Sequence, residues 1–526
     1  MTGLSAGRSP RAADGYTHEV LDVLGIGFGP SNLALAIVLE EQAQRRAGAR
    51  PLRAGFVERQ DRFGWHRGML IGGANLQVSF LKDLVTMRDP TSDFSFLCYL
   101  HQAGRLAAFI NQKNMYPSRV EFNDYLSWAA GRLRHQVTYG VEVIGAEPVT
   151  DGDDVRYIDV VARRSADGSL VTYRTRNVVV AAGLEPRLPP DASASARVWH
   201  SAQLLDRLAD VPEDRPQTFV VVGAGQSAAE VVEYVHRRFT RARVYSVFTR
   251  YGYSPADDSP FVNGIFDPEA VDLFFRSPDE VKQLFFDYHG NTNYSAVDID
   301  LITELSQRAY EELVEGRPRL IIRNLSRIAA VRESGSGLDV ELLFLPDGST
   351  ATVQADWLIY ATGYRPRSPL SVLGEVGSYC KTGQSASLRV DRNHRVVTAE
   401  RMHCGIYVQG ATEATHGISS TLLSTTAIRA GEIAAAITAD AGQGQPLAAG
   451  HYGHRKAGDT GATRGAANDA TCGAASDATR GAASDAAGTG GASHHRLADE
   501  VGHAPAAGAD GRARLQDVRS GGAAPA

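Results

Sequence analysis

Cysteine is scarce in this chain: its 526 residues include four, Cys98, Cys380, Cys404 and Cys472, which are widely separated. That spacing excludes a disulfide framework and gives no pattern of metal ligands, so we expect free thiols in a reducing cytoplasm and no bound metal. No apolar run is long enough to cross a membrane, and no signal-peptide pattern follows the first residues. The net charge of −6 gives no reason to expect nucleic acid or an anionic membrane as a partner.

The two ends of the chain differ in composition from the middle. Residues 1–17 are polar and rich in Gly, Ala and Ser, and residues 441–526 are nearly free of branched aliphatic and aromatic side chains. Such segments bury too little apolar area to offset the entropy of ordering the chain. We therefore predict a flexible N-terminal arm over 1–17, a disordered Gly/Ala-rich tail over 441–526, and two or three domains between them.

Short apolar runs alternate with helix-like stretches through the middle of the chain, which favours an α/β fold with parallel sheets. Residues 32–46 predict a long first helix, and residues 255–317 predict helices inserted into the second half of the fold. The strands are predicted at 52–58, 178–182, 243–249 and 357–361.

A first glycine-rich fingerprint, residues 25–32, follows an apolar run and opens the first helix. Gly25 permits a tight turn, and Gly27 lets the backbone approach a pyrophosphate that the helix N-terminus would bind. Pro30 stands where the pattern has a third Gly or Ala, and Pro is acceptable in the first turn of a helix. Glu58 ends the next strand, where a carboxylate accepts hydrogen bonds from an adenosine ribose. The alternative is a glycine turn that only packs helix on sheet, with Glu58 as a surface carboxylate.

A second fingerprint, residues 223–228, follows the apolar run 219–222 and matches the pattern at all three positions. The strand after it ends at Arg250, where a guanidinium suits the 2′-phosphate of NADPH better than the ribose of NADH. The alternative is a solvated arginine. Two fingerprints in one chain predict two facing dinucleotides, as in a flavin enzyme reduced by a nicotinamide. The turn at 361–364 is expected to return the chain to the flavin domain.

Several longer strings are more specific than either fingerprint. Together they resemble the N-hydroxylating flavin monooxygenases of siderophore biosynthesis, and among these the L-ornithine N5-monooxygenases most closely. The resemblance runs in order from about residue 18 to 437. The strings are residues 58–60, 65–66, 75–84, 88–92, 257–263, 291–295, 414–418 and 421–424.

The resemblance implies two Rossmann-like dinucleotide-binding domains with a small helical substrate-binding insertion. In such enzymes NADPH reduces FAD, the reduced flavin and O2 form a C4a-hydroperoxide, and the neutral side-chain amine of free L-ornithine is hydroxylated. The role of the protein is then mainly to position the reactants, to exclude water from the site and to protect the flavin intermediate. A cytoplasmic homo-oligomer, tetramer or dimer, is also implied. The predicted boundaries are 18–200 plus 356–440 for the FAD domain, 201–355 for the NADPH domain, and 255–317 for the insertion.

The resemblance places Lys82 at the substrate carboxylate, Asn263 and Asn293 as substrate amides, and Leu422 and Ser424 at the amine end. A lysine in an otherwise apolar string needs a charge partner if it is buried, although an isolated lysine more often reaches to solvent. Each asparagine offers both a donor and an acceptor, but each also suits a turn.

The remaining implied contacts belong to the cofactors. Gln77 would lie near the flavin ring as a positioning residue, or be an amide on a strand face. Ser227, the second positioning residue, would hold NADPH phosphates together with Arg250. Trp65 and His66 would line the FAD site, or form a packed aromatic pair. The FAD set is Gly25, Gly27, Phe28, Gly29, Pro30, Ser31, Glu58, Trp65, His66 and Gln77. The NADPH set is Gly223, Gly225, Gln226, Ser227, Arg250 and Tyr294.

Other functions stay open at this point. L-lysine N6-hydroxylation differs by one methylene, worth about 1–3 kcal/mol in a pocket. Hydroxylation of a diamine leaves Lys82 without a carboxylate to bind. A disulfide reductase needs a redox-active cysteine pair, which the four separated cysteines do not form. A flavin-binding reductase or sensor would hold FAD without hydroxylating an amine.

Overall fold

The computed structural model describes residues 19–45, 50–292, 294–383 and 387–441. The predicted arm over 1–17, and all of the predicted tail except its first residue, lie outside these ranges. Cys98, Cys380 and Cys404 are free thiols, as predicted, and Cys472 lies outside the described residues.

The chain alternates strands and helices over most of its described length. The strands are β1 (Leu21–Ile26), β2 (Ala54–Glu58), β3 (Val137–Tyr139), β4 (Val141–Asp151), β5 (Asp154–Arg164), β6 (Leu170–Val180), β7 (Leu184–Pro186), β8 (Val198–His200), β9 (Thr218–Val222), β10 (Arg243–Val247), β11 (Leu320–Arg323), β12 (Ser326–Ser334), β13 (Gly337–Phe344), β14 (Thr350–Ala355), β15 (Trp357–Tyr360), β16 (Tyr364–Pro366) and β17 (Gly405–Val408). The helices are α1 (Pro30–Arg45), α2 (Phe96–Gln102), α3 (Leu106–Asn111), α4 (Arg119–Arg132), α5 (Leu204–Leu208), α6 (Gln226–Arg238), α7 (Pro268–Arg276), α8 (Asp279–His289), α9 (Ile299–Val314), α10 (Leu370–Leu373), α11 (Glu413–His416) and α12 (Thr426–Ala441).

The first sheet has the strand order β3-β2-β1-β6-β5-β4, and β17 also pairs with β6. Strands β1, β2, β3, β6 and β17 run parallel. Alternate residues of β1 enter different cores: Val23 packs with α1 and α12, whereas Leu24 and Ile26 pack toward β4 and β5. Apolar side chains on both faces explain why β1 carries no polar residue except Asp22.

The prediction of parallel sheets is wrong for β4, β5 and the first half of β6, which form an antiparallel meander. Buried and exposed residues alternate only partly along β5, and the three consecutive residues Ile158–Val160 are all buried. The reason is that β5 shares a hydrophobic core with the apolar side chains at 372–376. This mixed pattern did not stand out in the sequence.

The second sheet is fully parallel, with the order β11-β10-β9-β15-β8. Helices α6 and α9 cover one face, and strands β12 to β14 cover the other. Because β8 and β15 belong to this sheet, the predicted boundaries at 200/201 and 355/356 each assign one strand to the wrong domain. Leu305 of α9 is also buried in this core, so α9 is the crossover helix from β10 to β11 rather than part of the insertion.

The two chain crossings between the domains run side by side. Strand β7 carries the chain into the second domain, β16 carries it back, and the two pair antiparallel with Pro186 opposite Tyr364. The turn at 361–364 therefore does return the chain to the first domain. Within the described ranges, no helix combines the length and apolar character needed to cross a membrane.

Candidate active site

A cleft of about 1910 Å³ opens where the carboxyl ends of strands from both sheets meet. Gly27 follows β1, Ala181 follows β6, Gly223 follows β9 and Ala361 follows β15, and all four line it. This is where open α/β sheets bind ligands. The predicted site residues that line the cleft are Gly27, Gly29, Pro30, Ser31, Glu58, Trp65, His66, Gln77, Lys82, Gly223, Gly225, Gln226, Ser227, Asn263, Tyr294, Leu422 and Ser424.

The first fingerprint has the backbone geometry that a bound pyrophosphate requires. Gly27 has a φ of 85°, and a Cβ there would lie 2.4 Å from the Ala181 carbonyl oxygen. The carbonyl of Gly29 accepts the first helical hydrogen bond, from Leu33 N at 2.9 Å. Pro30 is thus the first residue of α1, where its missing N–H removes no helical bond. This explains why Pro is tolerated at the third fingerprint position.

Glu58 is fixed at the cleft edge by two backbone amides. Phe28 N donates to Oε2 at 2.8 Å and Gln60 N donates to Oε1 at 2.9 Å. Each carboxylate oxygen keeps a further lone pair for a ligand hydroxyl. Phe28 itself packs its ring against Phe56, with centroids 5.3 Å apart. Gly25 and Phe28, predicted as FAD contacts, are not among the residues that line the cleft.

The backbone of the second fingerprint passes as close to a neighbouring carbonyl group as that of the first. Gly223 has a φ of 144°, and a Cβ there would lie 2.3 Å from the Ala361 carbonyl oxygen. The Gln226 side chain accepts from Asp298 N at 2.8 Å, which ties the start of α6 to the start of α9. Arg250 is exposed, lies outside the cleft lining, and donates to the Ser295 carbonyl at 3.0 Å. Its predicted contact with a 2′-phosphate stays a prediction.

A buried ion pair joins the two domains beside the cleft. Arg119 of α4 donates to both carboxylate oxygens of Glu230 of α6, at 2.8 and 2.9 Å. Glu230 in turn accepts from the Gln226 amide at 3.0 Å. Sequence reasoning missed this pair because the two residues are far apart in the chain and neither belongs to a motif.

Trp65 and His66 form a perpendicular ring pair with centroids 4.8 Å apart. His66 has a φ of 49°, which turns the chain into the short helical turn at Arg67–Met69. His66 is exposed to the open cleft, and desolvation, with the Arg119 charge as the second cause, lowers the pKa of its imidazole from the usual value. The imidazole is therefore neutral at pH 7 and suited to packing and hydrogen bonding.

The polar residues at the substrate end come from three separate segments. Lys82 is half-buried, lines the cleft, and forms no ion pair with a carboxylate of the described residues. Asn263 lines the cleft and donates from Nδ2 to the Asp258 carbonyl at 2.8 Å, as a turn residue would. Ser424 is 7% exposed, and its Oγ has no hydrogen-bond partner among described groups. Asn293 lies outside the described residues.

Several lining residues were not predicted. Arg187 and Arg367 flank the crossover strands β7 and β16 and bring positive charge to the cleft, while Glu413 accepts a hydrogen bond from the Tyr294 hydroxyl. None stands in a recognisable motif, and only the folded topology shows that they face a common space. The part of the chain that the structure describes has no cluster of His, Cys, Asp or Glu side chains that could hold a metal ion.

This geometry can be compared with known proteins. The sequence model of the family described as L-lysine 6-monooxygenase/L-ornithine 5-monooxygenase matches residues 19–366. The chain belongs to this family. The L-ornithine N(5)-monooxygenase of Burkholderia cepacia is 42% identical over 409 residues, which are 76% of this chain and 90% of that protein. The L-ornithine N(5)-monooxygenase of Pseudomonas aeruginosa is 38% identical over 427 residues, which are 80% of this chain and 94% of that protein.

A solved relative agrees with the L-lysine 6-monooxygenase/L-ornithine 5-monooxygenase assignment. The ornithine N-hydroxylase of Kutzneria sp. 744, in a complex with reduced FAD, NADP+ and L-ornithine, is 41% identical. It superposes with a TM-score of 0.76 and covers 80% of this chain and 99% of that chain. The predicted family and α/β fold class are confirmed.

Proposed function

We propose that this chain uses FAD, NADPH and O2 to hydroxylate the side-chain amine of free L-ornithine, giving N5-hydroxy-L-ornithine for a hydroxamate siderophore. One observation carries the proposal: both dinucleotide fingerprints, Lys82 and Ser424 line the same cleft. A second supporting argument is that three of the chain's relatives act on ornithine by name, and one of these was solved with reduced FAD, NADP+ and L-ornithine.

The residues of the first fingerprint fit FAD. A Cβ at position 27 would meet the Ala181 carbonyl oxygen at 2.4 Å, so the turn needs glycine. The Gly27 and Phe28 amides are engaged by the Val57 carbonyl and by Glu58, which leaves the start of α1 to bind a pyrophosphate. The Glu58 carboxylate, held by two backbone amides, can accept hydrogen bonds from ribose hydroxyls. Bound FAD, once reduced by NADPH, supplies the oxygen-activating chemistry that no protein side chain provides.

The substrate end then has three tasks, each with its own residue. Lys82 binds the α-carboxylate and so sets how far the side chain reaches toward the flavin position. The Asn263 Oδ1 accepts a hydrogen bond from the substrate's α-ammonium group. The unpartnered Ser424 Oγ accepts from the side-chain amine and holds it with its lone pair free, as a nucleophilic neutral amine requires. The neutral His66 ring and Trp65 help to exclude water beside the site.

The decisive experiment measures hydroxylated product, rather than NADPH loss alone, with L-ornithine, L-lysine and putrescine in parallel. We expect product mainly from ornithine, with kcat/KM for lysine lower by roughly 10-fold to 200-fold for one added methylene. Equal product from putrescine would contradict the carboxylate role of Lys82. NADPH oxidation that yields hydrogen peroxide and no hydroxylamine from any of the three would overturn the proposal.

L-lysine N6-hydroxylation is the second candidate, because the family model spans both activities. The same assay separates them. The assembly and location proposed for the enzyme, a tetramer or dimer in the cytoplasm, are checked by light scattering of the purified protein and by cell fractionation.

A further inference from the structure

Arg429 of α12 is a buried guanidinium that contacts only neutral acceptors. It is 3% exposed. It donates to the Ser420 carbonyl at 2.8 Å, to Thr426 Oγ1 at 3.2 Å, to Ser31 Oγ at 3.3 Å and to Gln409 Oε1 at 3.5 Å. No carboxylate of the described residues lies within ion-pair distance of it.

The carboxylate closest in sequence, Glu432, is already engaged elsewhere. Arg392 binds both of its oxygens, at 2.8 and 3.0 Å, and His394 Nε2 lies 3.4 Å away. Burial alone would raise the pKa of Glu432, but the hydrogen bonds from His394 and Arg392 hold it at about 2. Glu432 is thus an anion held by Arg392, which also binds Asp272, and it acts on Arg429 through space without a hydrogen bond or ion pair.

Arg429 lies directly behind the first fingerprint. Through Gln409 it reaches Asn32, whose Oδ1 accepts from the Gln409 amide at 2.8 Å. The Asn32 amide donates to the Gly27 carbonyl at 2.8 Å, which fixes the turn. The same guanidinium touches Ser31, whose backbone stands in the first turn of α1 at the cleft. The positive charge is therefore placed on the protein side of the turn whose other side faces the cleft.

Burial lowers the pKa of Arg429 to about 10, so the side chain remains protonated at neutral pH. A buried cation without an anion destabilises a protein, because its desolvation is not compensated. A negatively charged group other than a protein carboxylate is therefore expected near the Arg429 guanidinium. A pyrophosphate on the cleft side of the fingerprint would carry the missing negative charge.

We propose that Arg429 is a positioning residue for FAD: it supplies the counter-charge to the pyrophosphate from behind the first fingerprint and holds the turn through Gln409 and Ser31. The inference rests on the proposed binding of FAD at this fingerprint. It acts through Ser31 and the field of the buried charge, and requires no direct contact between guanidinium and cofactor.

The test uses the full-length chain stripped of flavin, with FAD affinity read by flavin fluorescence and thermal stability read without ligand. Arg429→Met removes charge and hydrogen bonds, Arg429→Gln keeps a hydrogen-bonding head group, and Arg429→Lys keeps the charge. We expect the Kd for FAD to rise roughly 10- to 100-fold in the first two variants, the range for a unit charge that acts across several ångströms at an effective dielectric constant of about 20. The Lys variant should recover most of the affinity, and the Tm of the flavin-free chain should be unchanged or higher in the Met variant.

Arg88→Met is the matched control. Arg88 is a largely buried arginine that packs against α12, at Gly431, but it has its own carboxylate, Glu41, at 2.6 Å. That variant should lower the flavin-free Tm and leave the Kd for FAD unchanged. The thermal shift caused by NADP+ should be unaltered in every Arg429 variant, because the second fingerprint is elsewhere.

Each other outcome overturns the inference. An unchanged Kd for FAD in Arg429→Gln, or a flavin-free Tm that falls in all three Arg429 variants, would identify a purely structural arginine. Failure of all three to fold would mean the same. If the unsubstituted chain itself binds no FAD, the proposed function fails instead, and the two failures are thereby distinguished.

Discussion

Lys82→Met is the substitution that most directly tests how the cleft holds its substrate. Lys82 is half-buried, lines the cleft and has no carboxylate partner among the described residues. Methionine keeps the length and apolar stem of lysine and removes the charge, so the variant should fold. A hydrogen bond to a charged group contributes about 1.5–3 kcal/mol, which corresponds to roughly 10- to 150-fold in affinity. Because water screens a half-exposed lysine, we expect the lower part of that range.

The assay is steady-state formation of hydroxylated product as a function of substrate concentration. The KM for L-ornithine should rise about 10- to 50-fold, while the rate at which NADPH reduces the flavin is unchanged. The KM for putrescine, which has no carboxylate, should be the same in both proteins. Lys381→Met serves as the control, since Lys381 is exposed and outside the cleft. An unchanged KM for ornithine in Lys82→Met, or an equal loss with putrescine, would refute the reasoning.

Three further outcomes follow from the geometry. Gly27→Ala should lose most bound flavin, because its Cβ would meet the Ala181 carbonyl oxygen at 2.4 Å. Gly73→Ala is the control: Gly73 also has a positive φ, of 92°, but a Cβ there meets no other atom, so this variant should lower only Tm. Flavin absorbance per chain and thermal melts measure the two effects. Arg250→Ala should narrow the ratio of kcat/KM for NADPH over NADH by about 10-fold, and an unaltered ratio would assign the 2′-phosphate to another residue. Desolvation lowers the pKa of His416 in the folded chain to about 3. Below about pH 6.5 the unfolded chain therefore binds a proton at this histidine that the folded chain does not, so the free energy of unfolding decreases as the pH is lowered. His416 should therefore destabilise the fold by about 2 kcal/mol between pH 8 and pH 5, and urea unfolding of His416→Asn should show that much less acid sensitivity.

The parts of the fold that sequence reasoning found are those encoded locally. Each fingerprint is a strand, a glycine turn and a helix in one short segment, and such segments reveal their conformation without knowledge of the rest. Even Pro30, which departs from the pattern, follows a local rule, because it is the first residue of α1. The strand β8, with three residues, is too short to show any period, and the domain boundary was misplaced as a result.

The site residues divide in the same way. Lys82 and Ser424, which line the cleft, could be predicted as candidates because each belongs to a long recognisable string. Arg119 and Glu230 join elements 111 residues apart, and Arg429 reaches Ser31 across 398 residues. Each looks like an ordinary charged residue on its own helix. Only the folded structure, in which Arg119 of α4 reaches Glu230 of α6 and α12 packs on α1, shows where these charges face.

The pairing of β7 with β16 has a consequence for how such enzymes can be rebuilt. Residues 187–363 form one continuous segment whose two ends leave the first domain at paired positions, Pro186 and Tyr364. Adjacent antiparallel strands lie about 4.8 Å apart, a gap that a two-residue hairpin turn closes. The second domain is therefore joined to the first by two neighbouring chain crossings, so it can be replaced as one segment. Grafting the same segment from a relative would exchange the second fingerprint together with Asn263, while every strand of the first sheet keeps its connection.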